Sequence, residues 1–307
     1  MRNIVRACVL ALSLTLALAA PAMAQRLDET PRTAIMTAFP PERVALVAEL
    51  QDRRDYPVNG SSVATGTLRG KPVILMESGV SMVNAAMNAQ LLVDRFAVSR
   101  MLFSGIAGGV DPSLHIGDVV VPDRWAQNLE TLMARETANG FAPMKGVENT
   151  DLPNFGMMYP RAVRTTSSAS GMVTQLAFSV DPALLALARK VAASMRLNGC
   201  IDAQHAQCLA KTPAIVVGGQ GVSSPAFVDN AKYRDYLFAT YQARVLDMES
   251  AAVAQVAFAN GVPFLAFRSL SDLAGGDAEE NQMHLFMTLA SANSAAVVSA
   301  FVAALPD

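Results

Sequence analysis

Apolar residues along this chain gather in short continuous runs that alternate with longer segments of helical spacing. Runs at 33–38, 62–68, 72–77, 100–104, 118–121, 214–217, 243–246 and 263–267 predict strands. Several are unbroken and rich in β-branched residues, the pattern of strands covered on both faces. Segments at 41–50, 83–96, 182–195, 250–259 and 282–304 predict helices. Pro41 and Pro182 suit a first helical turn, and Asp181 is a good N-cap. Strands alternating with helices predict an α/β fold: a single domain with a mixed, mostly parallel central β-sheet flanked by helices. The stretch 124–171 is the exception. It reads as loop, rich in Asn, Gly, Pro, Met and Ser, and is expected to form a lid, an interface arm or a disordered segment.

The first 24 residues have a different pattern. Arg2 and Arg6 precede an apolar run at 9–20, and Ala22-Met23-Ala24 offers a small-x-small cleavage site before Gln25. This predicts a signal peptide over 1–24 and a mature domain over 25–307, with a periplasmic or secreted location. Cys8 lies too early to anchor a lipid. The run 283–305 is apolar enough to compare with a membrane helix, but His284, Thr288, Ser291, Asn293, Ser294 and Ser299 interrupt it. A packed final helix is expected, with no membrane contact after signal removal.

Composition narrows the partners. Hydrophobic residues make up 52% and charged residues 16%, so the chain can build a substantial core. Net charge is −2 and no block of Lys and Arg occurs, which removes the electrostatic basis for nucleic-acid binding. Cys200 and Cys208 remain after signal removal, and an even count in an exported chain predicts a disulfide. A metal site using His205 would need further ligands, and His115 and His284 are the only other histidines. No metal or cofactor is expected.

Candidate chemistry lies where predicted strands end. Asp247-Met248-Glu249-Ser250 follows one strand and opens a helix. Arg268-Ser269-Leu270-Ser271-Asp272 follows another. Ligands of open α/β sheets bind outside the carboxyl ends of strands, so these carboxylates suggest a shared small-molecule pocket. Taken singly, Glu249 reads equally well as a charge at a helix start, and Asp272 as a turn residue. The run Ser104-Gly105-Ile106-Ala107-Gly108-Gly109 brings backbone N–H groups within reach of a ligand, but lacks the spacing of a dinucleotide fingerprint.

Together these segments resemble the nucleoside phosphorylase/nucleosidase superfamily, and within it the 5'-methylthioadenosine/S-adenosylhomocysteine nucleosidase branch. The resemblance runs over 33–305 with interruptions. It includes Glu42 after the first strand, Ser78-Gly79-Val80-Ser81-Met82-Val83-Asn84, the glycine-rich run and His115-Ile116-Gly117-Asp118. The two acidic segments carry it most specifically. It implies a purine nucleoside as partner and a homodimer as assembly. By resemblance, Asp272 is the acid that protonates purine N7, positioned by Ser271. Glu42 orients or deprotonates the attacking water. Glu249 binds the ribose hydroxyls, Met248 packs on the sugar, Phe227 stacks on the base and Val228 bonds its edge. Ala107 and Gly108 complete the substrate-binding set.

The resemblance implies hydrolysis of the N-glycosidic bond. Phosphorolysis is the alternative, as is a non-catalytic nucleoside-binding or storage protein on the same scaffold. Related phosphorylases often carry Arg before the glycine-rich turn, where this chain has Leu102-Phe103-Ser104. Arg43 and Arg100 lie near in sequence but outside the expected pattern. Arg268 is expected to tie the acidic segments together. Ile106 stands where Ser is usual. The apolar cluster Phe155-Gly156-Met157-Met158-Tyr159-Pro160 is expected to close the pocket across a subunit interface.

Overall fold

In a computed structural model, the described residues are 26–148, 150–201, 208–277 and 280–306. The signal-peptide expectation over 1–24 and His205 lie outside them. The first half of the chain runs β1 (Asp28–Thr37), α1 (Pro40–Glu49), β2 (Gln51–Val58), β3 (Ser61–Leu68), β4 (Lys71–Glu77), α2 (Met82–Arg95), β5 (Phe96–Gly109), β6 (Val119–Val121) and β7 (Arg124–Gln127). Short strands follow: β8 (Thr131–Met133), β9 (Arg135–Thr137), β10 (Gly140–Ala142), β11 (Met158–Pro160), β12 (Val163–Ser167), β13 (Gly171–Gln175) and β14 (Ala177–Ser179). The rest is α3 (Pro182–Ser194), β15 (Ile215–Val217), β16 (Gln220–Ser223), α4 (Ala231–Tyr241), β17 (Ala243–Asp247), α5 (Ser250–Asn260), β18 (Phe264–Asp272) and α6 (Met283–Ala303).

The central sheet has the order β14-β7-β16-β17-β5-β1-β4-β3-β2, with β18 also on β5, and β6 bridging β18 and β15. The expected mixed sheet is therefore present. β5 is parallel to β1 and to β18, but its last residues, Gly108 and Gly109, pair antiparallel with β17. The glycine-rich run is thus the point where the sheet forks. Side-chain-free backbone lets β5 serve both partners there. The carboxyl ends of β1, β5, β17 and β18 converge beside this fork.

The α3 start follows the sequence expectation: Asp181 caps the helix by accepting from the N–H groups of Ala183 and Leu184. The last helix packs inward as expected. Leu289, Val297, Val298, Phe301 and Val302 are buried, and Phe267 of β18 meets Phe301 edge-on at 5.1 Å. By length and composition α6 would suffice to cross a membrane, yet most of it is covered by its own chain.

The loop expectation for 124–171 needs correction. Residues Arg124–Gln127 form β7 inside the central sheet, where Trp125 and Ala126 are fully buried, and small two-stranded sheets occupy much of the rest. Strands of three to five residues with mixed polarity leave little readable alternation. Phe155 and Met158 pack on their own subunit against α4, with Phe155 5.1 Å from both Tyr233 and Tyr236. Within one chain, none of residues 124–171 lines the cavity described next.

Candidate active site

Four strand ends wall one cavity of about 380 Å³. Glu42, Ala107, Gly108, Phe227, Val228, Met248, Glu249, Ser271 and Asp272 all line it, so the structure brings every sequence-predicted site residue together. Phe227 sits half exposed at the mouth.

Glu42 reaches the cavity because Pro40 and Pro41 start α1 directly after β1. Its Oε2 accepts from Ala38 N at 2.6 Å and its Oε1 from Ile106 N at 2.8 Å. The side chain is fully buried. Burial pushes its carboxyl up to about 7, against the opposing pull of Arg268.

Glu249 occupies the N-cap of α5. Its Oε1 accepts from Ser81 N at 2.8 Å. Ser81 holds a positive φ of 81°, a conformation a serine rarely adopts, and that turn aims its N–H at the carboxylate. Burial likewise raises Glu249 to about 7, with Arg268 opposing. Asp247 closes β17. Its Oδ1 bonds the Ser223 hydroxyl and accepts from the N–H groups of Glu249 and Ser250, which fixes the strand-to-helix turn.

Arg268 organises these acids from beneath the cavity. It is completely buried in β18, lies 2.7 Å from Asp247, 3.5 Å from Glu249 and 3.8 Å from Glu42, and its guanidinium covers the Phe103 ring at 4.2 Å. The expectation that it ties the acidic segments matches this geometry. Gly105 makes the approach possible: a Cβ there would strike both Arg268 and Glu42. Ile106 turns its N–H to Glu42 and its carbonyl to Arg268 Nη1, and its side chain adds an apolar patch to the wall.

Asp272 ends β18 and is buried. Its Oδ1 accepts from Ala274 N at 2.9 Å, and its Oδ2 meets the Ser271 hydroxyl at 2.9 Å. Ser271 Oγ also reaches Ala107 O at 3.5 Å. Burial raises the Asp272 pKa, against bonds from Ala274, Ser271 and Asn281 that lower it.

Sequence reasoning missed Phe39, Val80, Met283, His284 and Met287, which also line the cavity. The Met283/Met287 spacing of four on a helix was the one available signal. Arg43 and Arg100 do not line it, and Arg100 bonds Thr33 instead. Among the described residues there is no His, Cys, Asp and Glu grouping suited to a metal ion. Cys200 and Cys208 are joined by a disulfide.

The profile of the phosphorylase superfamily matches residues 32–303. A 5'-methylthioadenosine/S-adenosylhomocysteine nucleosidase from Anoxybacillus flavithermus is 30% identical over 271 residues, covering 88% of this chain and 97% of that protein. Another so named, from Marinomonas sp., is 29% identical over 258 residues, covering 84% of this chain and 92% of its own. Among solved structures, the Streptococcus pyogenes S-adenosylhomocysteine nucleosidase in complex with 5-methylthiotubericidin superposes with a TM-score of 0.66 at 27% identity. It covers 91% of this chain and 98% of that one.

Proposed function

The chain belongs to the phosphorylase superfamily, and from that premise we propose that it is an exported purine nucleosidase. Its reaction class is N-glycosidic hydrolysis, the class of the nucleosidases it matches over nearly their whole length. Its proposed substrates are 5'-methylthioadenosine, S-adenosylhomocysteine or a related adenosine, split to free base and sugar.

The observation that carries this reading is the meeting of Glu42, Glu249 and Asp272 on one cavity, all three held above the ordinary carboxylate range. Cleaving the glycosidic bond builds positive charge on the sugar and negative charge on the purine. A protonated Asp272 neutralises the leaving base at N7. Ionised Glu42 takes a proton from the attacking water and favours the cationic sugar. Ionised Glu249 accepts hydrogen bonds from the ribose 2'- and 3'-hydroxyls. Met248 covers the sugar and Phe227 the base.

Hydrolysis is favoured over phosphorolysis by the distribution of cations. Among the described residues that line the cavity there is no Lys or Arg, and Arg268 beneath it is already shared by three carboxylates. The deciding experiment is a panel of purine nucleosides with and without phosphate, scored for free base. Release without phosphate is expected. Release only with phosphate would make the protein a phosphorylase. Tight binding without release would make it a nucleoside-binding protein.

Export is supported by the leader-like pattern of 1–24 and by the Cys200–Cys208 bond, which suits an oxidising compartment. A homodimer is supported by Val80, Val83, Met87 and Leu285, large apolar side chains exposed on α2, its preceding loop and the first turn of α6. Val80 also lines the cavity. Light scattering at micromolar concentration should give twice the chain mass, and a monomer would refute the pairing.

A further inference from the structure

Asn281 precedes the first turn of α6 and touches three parts of the cavity wall. Its Oδ1 accepts from Met283 N at 2.9 Å, so it holds the first N–H of the helix whose Met283, His284 and Met287 line the cavity. Its Nδ2 donates to Asp229 Oδ1 at 3.2 Å and to Asp272 Oδ1 at 3.4 Å. Asp229 directly follows Phe227 and Val228. One amide therefore joins the acid, the segment expected to face the base, and the helix start at the rim.

The two oxygens of Asp272 are thereby made unequal. Oδ1 faces two N–H groups, from Ala274 and Asn281, and an N–H cannot accept a proton. Oδ2 faces the Ser271 hydroxyl, which can donate or accept. A proton held by Asp272 belongs on Oδ2.

We propose that Asn281 is a positioning residue for proton transfer: it keeps Asp272 Oδ1 as a fixed acceptor and leaves Oδ2 to deliver the proton. The inference rests on Asp272 as the general acid proposed above. In the step, the Oδ2–H bond breaks as the purine N7–H bond forms. The C1'–N9 bond breaks and its electron pair passes to the base. Water adds its oxygen to C1', and its proton goes to Glu42.

The electrostatic consequence has a definite sign. An N–H donor favours the ionised carboxylate, so losing Asn281 makes Asp272 hold its proton to higher pH. Other charged or titratable groups around Asp272 are Asp277 in the following loop, Asp229, and His284 on α6. Glu42, Asp247 and Glu249 line the same cavity, and β5 contributes only the uncharged Ile106, Ala107 and Gly108. None of these residues is substituted in the variants.

The test compares pH profiles of kcat/KM for the unmodified protein, Asn281→Ala and Asn281→Ser on the same nucleoside. A serine hydroxyl can still accept from Met283 N but has no second arm for Asp272. Both variants should move the basic limb up by about half a pH unit or more, the scale of losing one hydrogen bond to a charged group. They should also lower the plateau kcat roughly tenfold, with KM changing less. If Asn281→Ala does not fold, Asn281→Ser alone decides. Basic limbs that coincide with that of the unmodified protein, whatever the melting temperature, would overturn the proposal and leave Asn281 with only a structural role at the start of α6. Asp272→Asn in parallel separates the two readings. Normal turnover there overturns the acid role itself, whereas an inactive Asp272→Asn beside unmoved Asn281 profiles overturns only the positioning role.

Discussion

The Nε atom of Arg268 lies 2.7 Å from Oδ2 of Asp247, and neither side chain reaches solvent. Glu249 and Glu42 share the rest of the same guanidinium. Removing one partner from a buried ion pair leaves the others uncompensated. Arg268→Met should therefore lose ~3–5 kcal/mol in urea unfolding at pH 7. The loss should shrink at pH 5, where Glu42 and Glu249 bind protons. A loss of under about 1 kcal/mol at both pH values would show that packing, not charge, governs the cluster.

Asp272→Asn preserves shape but cannot supply a proton. Turnover should fall ~10²–10⁴-fold, the usual contribution of a general acid. Near-normal turnover by the folded variant would remove Asp272 from that role.

Glu249→Gln tests recognition of the sugar. The carboxylate can accept from two hydroxyls, and the amide that replaces it has one acceptor oxygen. Losses in kcat/KM should be far larger on ribosides than on 2'-deoxyribosides. Equal losses would mean that Glu249 serves only the start of α5.

Stability should depend on pH with an unusual sign. Glu42 and Glu249 are raised to about 7 in the folded chain, so the folded state binds more protons than the unfolded one between the normal carboxylate range and about pH 7. Their contribution to stability is therefore greatest at low pH and declines as pH rises through that window. The ligand-free protein should melt higher at pH 5.5 than at pH 8. Glu42→Gln should reduce that difference, and an unchanged difference would exclude Glu42 as its source.

The Cys200–Cys208 bond closes a short loop with a sequence separation of 8. In the chain-entropy model such a link stabilises by ~2–3 kcal/mol. A Cys200→Ser, Cys208→Ser double variant should melt lower yet keep its kcat, because neither residue lines the cavity. A matching fall in kcat would tie the loop to catalysis.

What was legible in the sequence follows from burial. The parallel strands β1, β4, β5 and β18 are covered on both faces and read as continuous apolar runs. Polar or exposed elements did not. β2 carries Arg53, Arg54 and Asp55 on an exposed edge, and β16 is buried yet reads Gln-Gly-Val-Ser. Helix α4 mixes Lys232, Arg234 and Asp235 with its apolar residues, although Asn230 ahead of it was a cap in plain view. At the site, Glu249 and Asp272 were legible because they lie at or just beyond the ends of β17 and β18, whereas Glu42, in the first turn of α1, was placed by the family resemblance. Phe39, Val80 and Met283 were not, because an apolar side chain lining a cavity has the same sequence signature as one filling a core. Asn281 was hidden for another reason: its role comes from three contacts that exist only after folding.

Three carboxylates around one guanidinium also make ligand binding an acid–base event. With Glu249 raised to about 7, the ligand-free protein should carry a fraction of a proton there at neutral pH. A ribose diol donates two hydrogen bonds to that carboxylate and favours its ionised form. Docking a neutral nucleoside should therefore expel a fraction of a proton into solution. Titration calorimetry in buffers of different ionisation enthalpy would register that release, and apparent affinity would climb as pH rises toward 7.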